Sequence, residues 1–250
     1  MKEKRLEEME AFIGERNTVK MNELAEHFGM SMSTLRRDLD KLASENKIVK
    51  SYGSVSLTRP SVSFLHSQNT IHMQEKKKIA SFAARLIDNG DIIFIDSGST
   101  CGLITDFIPD DFHVTIITNN LDVIIRGMRK ENLDIYSIPG KLNRKNNSFS
   151  YMQDCNPYKD YNIGKIFVSC AGIDIEYGIS HNEVSERTIK KYAIERTTNR
   201  ILLADSTKFG HIAPLHVCEI KAFSILCTNE QPPEAYIDYC LQNRVKLIYE

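Results

Sequence analysis

Between residues 92 and 249 the chain carries seven short apolar runs, at 92–95, 114–117, 135–138, 166–169, 201–204, 223–227 and 245–249. A run such as Ile92-Ile93-Phe94-Ile95 has no polar face to give to water, so it suits a strand covered on both sides, as in a parallel sheet. Amphipathic stretches lie between several of the runs, near 99–108, 121–130, 185–198 and 234–243. Another precedes the first run, from about 75 to 87, with Ile79, Phe82, Ala83, Leu86 and Ile87 on its apolar side. Buried strands alternating with amphipathic helices predict a doubly wound, mostly parallel α/β domain.

Such sheets bind ligands at the carboxyl ends of their strands. Asp96-Ser97-Gly98-Ser99-Thr100 follows the first strand. There Gly98 allows close backbone approach, and Ser99 and Thr100 are expected to open the next helix, whose free N–H groups attract an anion. Thr118-Asn119-Asn120 follows the second strand and Pro139-Gly140-Lys141 the third. Ala171-Gly172-Ile173-Asp174 follows the fourth, and Asp205-Ser206-Thr207-Lys208-Phe209-Gly210 the fifth. Each motif alone also reads as an ordinary capped turn. Together they bring hydroxyls, glycines, lysine and carboxylates to one edge, which suits a phosphorylated sugar. The expected placement puts the phosphate on the 97–100 turn with Lys208 as counter-charge. Asp96 and Asp205 would then face sugar hydroxyls, with Thr118, Asn119, Gly140, Gly172 and Asp174 completing the edge.

Residues 1–57 follow a different pattern. Ser31-Met32-Ser33-Thr34-Leu35-Arg36-Arg37-Asp38-Leu39 opens a helix. Ser31 is a good N-cap, and Leu35, Leu39 and Leu42 form a buried stripe. Ser33, Arg36, Arg37 and Lys41 lie off it. Arginine can pair with guanine or grip phosphate. A short helix at 21–28 precedes, with Leu24, Ala25 and Phe28 inward, and Gly29 suits the left-handed position that ends it. Leu6, Met9, Phe12 and Ile13 supply an earlier helix. After the third helix, strands at 48–50 and 55–57 flank Ser51-Tyr52-Gly53-Ser54, a hairpin that would place Lys47 and Lys50 near phosphates. The order is that of a winged helix-turn-helix that docks in a major groove.

Net charge is −1, so DNA affinity has to come from local placement of Arg36, Arg37, Lys41, Lys47 and Lys50. No apolar run is long enough to span a membrane, and Met1-Lys2-Glu3-Lys4-Arg5 leads into a charged helix and not a secretion signal. The six cysteines include no Cys-x-x-Cys pair, and the histidines are scattered. This predicts a reduced, cytoplasmic protein without metal or cofactor. Polar residues around Pro60 mark 58–74 as a linker, with Phe64-Leu65 as a possible docking element. The resulting division is 1–57, 58–74 and 75–250.

The motifs resemble those of the DeoR family of bacterial transcriptional regulators. In the first domain the matching residues are Glu23-Leu24-Ala25, Met30-Ser31, Thr34-Leu35-Arg36-Arg37-Asp38-Leu39, Leu42 and Tyr52-Gly53. In the second they are Glu75-Lys76 with Ile79-Ala80, the 96–100 and 205–210 motifs, Thr118-Asn119, Gly140, Gly172-Ile173-Asp174, Gly178-Ile179-Ser180 and Glu186 with Lys190. The resemblance implies DNA contacts from Ser31, Ser33, Thr34, Arg36, Arg37, Lys41, Lys50 and Tyr52. It adds Lys76 and Glu186 to the effector residues and implies an effector domain similar in fold to ribose-5-phosphate isomerase. It further implies a sugar-operon regulator, usually a repressor, controlled by a phosphorylated sugar. Its partners would be operator DNA and further copies of itself, as a dimer or tetramer reading paired half-sites. Two departures stand out: Pro139 replaces a usual glycine and removes an N–H donor, and Ser148-Phe149-Ser150-Tyr151 lacks another. The rival expectations are an isomerase-like enzyme, with Asp96, Glu186, Asp205 and Lys208 moving protons, and a second domain that only oligomerises.

Overall fold

The computed structural model describes residues 2–16, 18–45, 47–51, 53–57, 72–150 and 156–250. The chain divides into two compact units, Met1–Ile71 and His72–Glu250. Tyr52 and residues 58–71, which hold most of the expected linker and Phe64-Leu65, lie outside the described residues.

In the first unit, helices α1 (Lys2–Arg16), α2 (Met21–His27) and α3 (Met32–Ser44) pack with strands β1 (Thr18–Lys20), β2 (Ile48–Ser51) and β3 (Ser54–Leu57). Leu6, Met9, Phe12, Ile13, Leu24, Leu35, Leu39 and Leu42 close one core with Val19, Ile48 and Val55. Gly29 takes φ +58 between α2 and α3, and the Met30 N–H returns to the Ala25 carbonyl. Gly53 takes φ +73 at the wing turn. Strand β1 was not expected. It has three residues, only Val19 is buried, and its identity comes from antiparallel pairing with β3, Val19 opposite Val55.

The second unit is built on a seven-strand parallel sheet: β4 (Ile92–Ile95), β5 (Val114–Thr118), β6 (Leu133–Ser137), β9 (Lys165–Ser169), β12 (Arg200–Leu203), β14 (Ile225–Cys227) and β15 (Lys246–Ile248). Their spatial order is β15-β14-β12-β9-β4-β5-β6. Alternate residues feed cores on opposite faces. Phe94, Ile166, Val168 and Leu202 face one way; Ile93, Ile95, Phe167 and Leu203 face the other. Helices α4 (Met73–Ala84), α5 (Leu121–Gly127), α6 (Val184–Ile194) and α7 (Glu234–Gln242) accompany the sheet. This is the doubly wound α/β architecture read from the sequence.

Several boundaries moved. Helix α4 begins at Met73, inside the expected linker, after His72 turns the chain at φ +57. The expected helix at 99–108 is a 3-10 helix, Cys101–Phe107, and no side chain of Ser99 or Thr100 caps it. The third strand starts at Leu133 and not 135, because an edge strand is one-sided: Leu133 is buried while Tyr136 is exposed. Hairpin β7 (Lys141–Asn143) with β8 (Ser148–Ser150), and a small antiparallel sheet of β10 (Gly172–Asp174), β11 (Gly178–His181) and β13 (Leu215–Cys218), were not expected. Strands of three or four residues leave no period in the sequence; distant partners define them.

The chain enters the sheet at β4, goes to β5 and β6 on one side, then returns to β9 on the other. The switch point therefore lies between the carboxyl ends of β4 and β9, where a crevice opens in such folds.

Candidate functional site

Asp96 leaves β4 at that switch point and is fully buried. Its Oδ2 accepts from the Ser169 N–H at 3.0 Å and the Ser169 hydroxyl at 3.2 Å, and pairs with Lys190 Nζ from α6. Oδ1 accepts from the Ser97 hydroxyl at 3.3 Å. The expectation that Asp96 faces a sugar is therefore corrected: a carboxylate sealed from solvent and bonded to Ser169, Ser97 and Lys190 holds the turn. Lys190 is equally sealed. Burial alone would lower its pKa, but the charges of Asp96 and Glu186 outweigh that and raise it above 10.5.

The same geometry explains Gly98. It takes φ +111, and a Cβ there would stand 2.5 Å from Ser169 Oγ. Ser169, not a ligand, occupies the space the missing side chain leaves. Asn120 closes the turn from β5, donating to the Asp96 and Gly98 carbonyls at 3.0 and 3.1 Å. Thr118 donates to the Ile95 carbonyl and accepts the Asn120 N–H. Asn119 donates weakly to the Phe149 carbonyl at 3.4 Å, and its buried Oδ1 has no partner among the described residues.

Glu186, one helical turn before Lys190, is the hub of a second network. Its Oε2 meets His181 Nε2 at 2.7 Å. Its Oε1 accepts from Asn146 and, at 3.4 Å, from Ser148 on the β7–β8 hairpin. Burial pushes the Glu186 carboxyl up, but the His181 hydrogen bond and the Lys190 charge prevail and hold it below 4.5. A cleft of about 550 Å³ opens beside this hairpin, lined by Lys141, Arg144, Lys145, Glu183 and Ser185 among others.

At the end of β12, Asp205 accepts from the Thr207 N–H at 3.1 Å, and its Oδ2 lies 4.0 Å from Lys208 Nζ. Lys76, half-buried on α4, feels both groups. Burial lowers its pKa first and Lys208 adds to this, while Asp205 opposes. The Lys76 ammonium is thus within electrostatic range of Asp205 and Lys208, while Lys208 is the only lysine within 4.0 Å of the Asp205 carboxylate among the described residues. Ser97, Gly98, Ser99 and Thr100 lie two strands away along the same edge.

Two expected residues have other work, and a third stands apart. Asp174 Oδ1 accepts from the Glu176 and Tyr177 N–H groups, both at 2.9 Å, and so caps the β10–β11 turn. Gly172 is where the His211 carbonyl passes; a Cβ would lie 2.1 Å from that oxygen. Gly140 is exposed beyond edge strand β6. The sequence reading missed Ser169, His181, Asn146 and Asn120 as organisers. For the buried charges a signal existed: Glu186, Ile189, Lys190 and Ala193 share one helical stripe, so two charges lie on an apolar face.

In the first unit Ser31 caps α3, its hydroxyl accepting the Thr34 N–H at 3.3 Å and meeting the Ser33 and Thr34 hydroxyls at 3.0 Å. Ser33, Arg36 and Arg37 are exposed, and neither arginine has an ion-pair partner among the described residues. Lys41 pairs with Glu45 at 3.9 Å, and Lys50 of the wing pairs with Asp40. Asp38, which shares the arginine motif, is buried and takes Arg5 Nη2 of α1 at 2.5 Å.

A family model described as the DeoR C terminal sensor domain matches residues 71–230, and a DeoR-like helix-turn-helix domain matches residues 5–60. The chain is 35% identical over 246 residues to the HTH-type transcriptional regulator IolR of Bacillus subtilis (strain 168), covering 98% of each chain. It is 28% identical to the glycerol-3-phosphate regulon repressor of Escherichia coli (strain K12), over 92% of this chain and 91% of that one. The deoxyribose operon repressor of the same strain is 24% identical over the same shares. Among solved structures, ribose 5-phosphate isomerase A from Methanocaldococcus jannaschii aligns with 55% of each chain at 15% identity and a TM-score of 0.42.

Proposed function

The chain belongs to the DeoR family of transcriptional regulators, and from that premise we propose that a phosphorylated sugar at the carboxyl edge of the β4–β9–β12 sheet sets its affinity for operator DNA. It is a DNA-binding regulator with a sensor domain. The regulated genes are those of sugar metabolism, the effect is repression, and the working form is a homo-oligomer in the cytoplasm that spans paired half-sites.

The observation that carries this reading is Lys208 at 4.0 Å from Asp205, with the half-buried Lys76 of α4 within electrostatic range of both. Two cations against one carboxylate leave a local positive charge in a partly desolvated place, where a phosphate dianion is favoured. Ser99, only half-buried on the same edge, has a hydroxyl to offer sugar oxygens, and Asn119 Oδ1 is a buried acceptor without a partner among the described residues. The cleft beside Lys141 gives a ligand room to extend.

The carboxylates favour sensing over turnover. An isomerase needs a carboxylate poised on the substrate carbon. Asp96 and Glu186 are buried and bonded to Lys190, Ser169, His181 and Asn146, and Asp205 is held by Thr207.

The test is titration calorimetry with matched sugars and sugar phosphates. Lys208→Ala is expected to weaken the phosphorylated form by about 1.5–3 kcal/mol, the value of a hydrogen bond to a charged group, and to leave the free sugar nearly unaffected. Equal losses for both would move the phosphate elsewhere on the edge. Formation of product from the sugar phosphate would replace the sensor reading with a catalytic one.

A further inference from the structure

The exposed face of α3 holds an acid. Ser33, Arg36, Arg37 and Asp40 stand at i, i+3, i+4 and i+7, so they share one side of the helix, opposite buried Leu35, Asp38, Leu39 and Leu42. Asp40 is largely open, with its side chain 67% exposed, and its Oδ1 pairs with Lys50 Nζ on β2 of the wing. The other lysines of this surface are occupied in the same way: Lys47 lies 3.0 Å from Glu45 and 3.3 Å from Glu10, and Lys41 lies 3.9 Å from Glu45. Only the two arginines of the face stand without a carboxylate among the described residues.

An exposed pair of this kind adds little to stability. Its consequence is for DNA. A lysine held by a carboxylate has to leave it, or bring it along, before it can take a phosphate. A carboxylate on a helix in the major groove is repelled by phosphates and by the acceptors on guanine and thymine. It is accepted where a base edge donates, with the cytosine N4 amino group its natural partner. We propose that Asp40 is a specificity-determining residue of the DNA-reading face, withholding Lys50 from phosphate on arbitrary sequence and releasing it where a donating base edge meets the carboxylate. The mechanism costs affinity on all DNA but costs least on the correct site, which is how discrimination is built from repulsion.

The test compares wild type, Asp40→Asn, Lys50→Gln and the double variant on two DNAs. One is a random-sequence duplex; the other is a duplex selected by the wild-type protein from a randomised pool. Both side chains are on the surface, and melting curves establish that each variant folds. Asp40→Asn is expected to bind the random duplex roughly three- to tenfold more tightly, with the slope of log K against log salt steeper by about 0.9, one phosphate contact. The selected duplex gains less, so the ratio between the two falls. In the Lys50→Gln background the same Asp40→Asn change leaves the slope unaltered. Unchanged or weaker binding of the random duplex by Asp40→Asn overturns the proposal. So do equal gains on both duplexes, and so does a steeper slope that persists without Lys50.

Discussion

Lys190 and Asp96 are both sealed from solvent and meet across 94 positions of sequence. Removing one charge of such a pair leaves the other buried and unmatched. Lys190→Met is therefore expected to destabilise the sensor unit by about 3–5 kcal/mol, read from urea unfolding. Adding Asp96→Asn should recover part of the loss, because a neutral amide still bonds Ser169 and Ser97. A double variant no more stable than the single one would assign the loss to the packed lysine stem. Glu186 makes a related prediction about pH. Its folded carboxyl lies below its usual 4.5, so the folded state favours the ionised form. That contribution is fully present above pH 4.5 and disappears as pH falls through the lower, folded value. Wild type should lose more stability between pH 6 and acid conditions than Glu186→Gln does, as urea midpoints across that range would reveal; parallel pH profiles would contradict it.

At the scale of the element, α3 is where sequence and structure agree most closely. The cap, the buried stripe and the exposed arginines are all local properties of one helix. Ser31→Ala should cost about 1 kcal/mol of stability in the first unit, since the hydroxyl satisfies the Thr34 N–H. Arg36→Ala and Arg37→Ala should each weaken operator binding by about 1–3 kcal/mol where the arginine reads a base. A loss that is the same on every duplex and flattens the salt dependence would identify a phosphate contact instead. Unchanged binding by both variants, with folding intact, would remove α3 from the interface. The 97–100 turn is the opposite case. Its motif is plain in the sequence, yet the reason for Gly98 is Ser169, 71 positions later, whose Oγ would sit 2.5 Å from a Cβ.

For the whole molecule, two compact units, Met1–Ile71 and His72–Glu250, have to exchange free energy if a ligand in one governs DNA binding by the other. The expected coupling is about 1–3 kcal/mol, and it is reciprocal: operator DNA should change sugar-phosphate affinity by the same factor as the sugar phosphate changes operator affinity. Titrating each ligand with and without the other measures both. Tight sugar-phosphate binding that leaves operator affinity untouched would separate the sensor from the switch.

Local chemistry explains what the sequence determined by itself. A helix with one apolar stripe, a glycine forced to positive φ between two helices and an apolar run too short for a helix all depend on residues within a few positions of one another. Hence the winged helix-turn-helix, the parallel strands and the strand ends that carry the candidate site were legible. What only the tertiary structure decided is which side chains meet. Arg5 finds Asp38, Lys50 finds Asp40, Lys190 finds Asp96 and His181 finds Glu186. The packing of helices and strands set these partners; the pairing of β4 with β9 brought Ser169 to Asp96, a buried brace where a ligand group was expected, while Asp174 caps its own local turn. A charge carries the same letter in the sequence whether it faces water, a ligand or an opposite charge. Its role depends on what the fold brings within about 4 Å, where the electrostatic energy is decided.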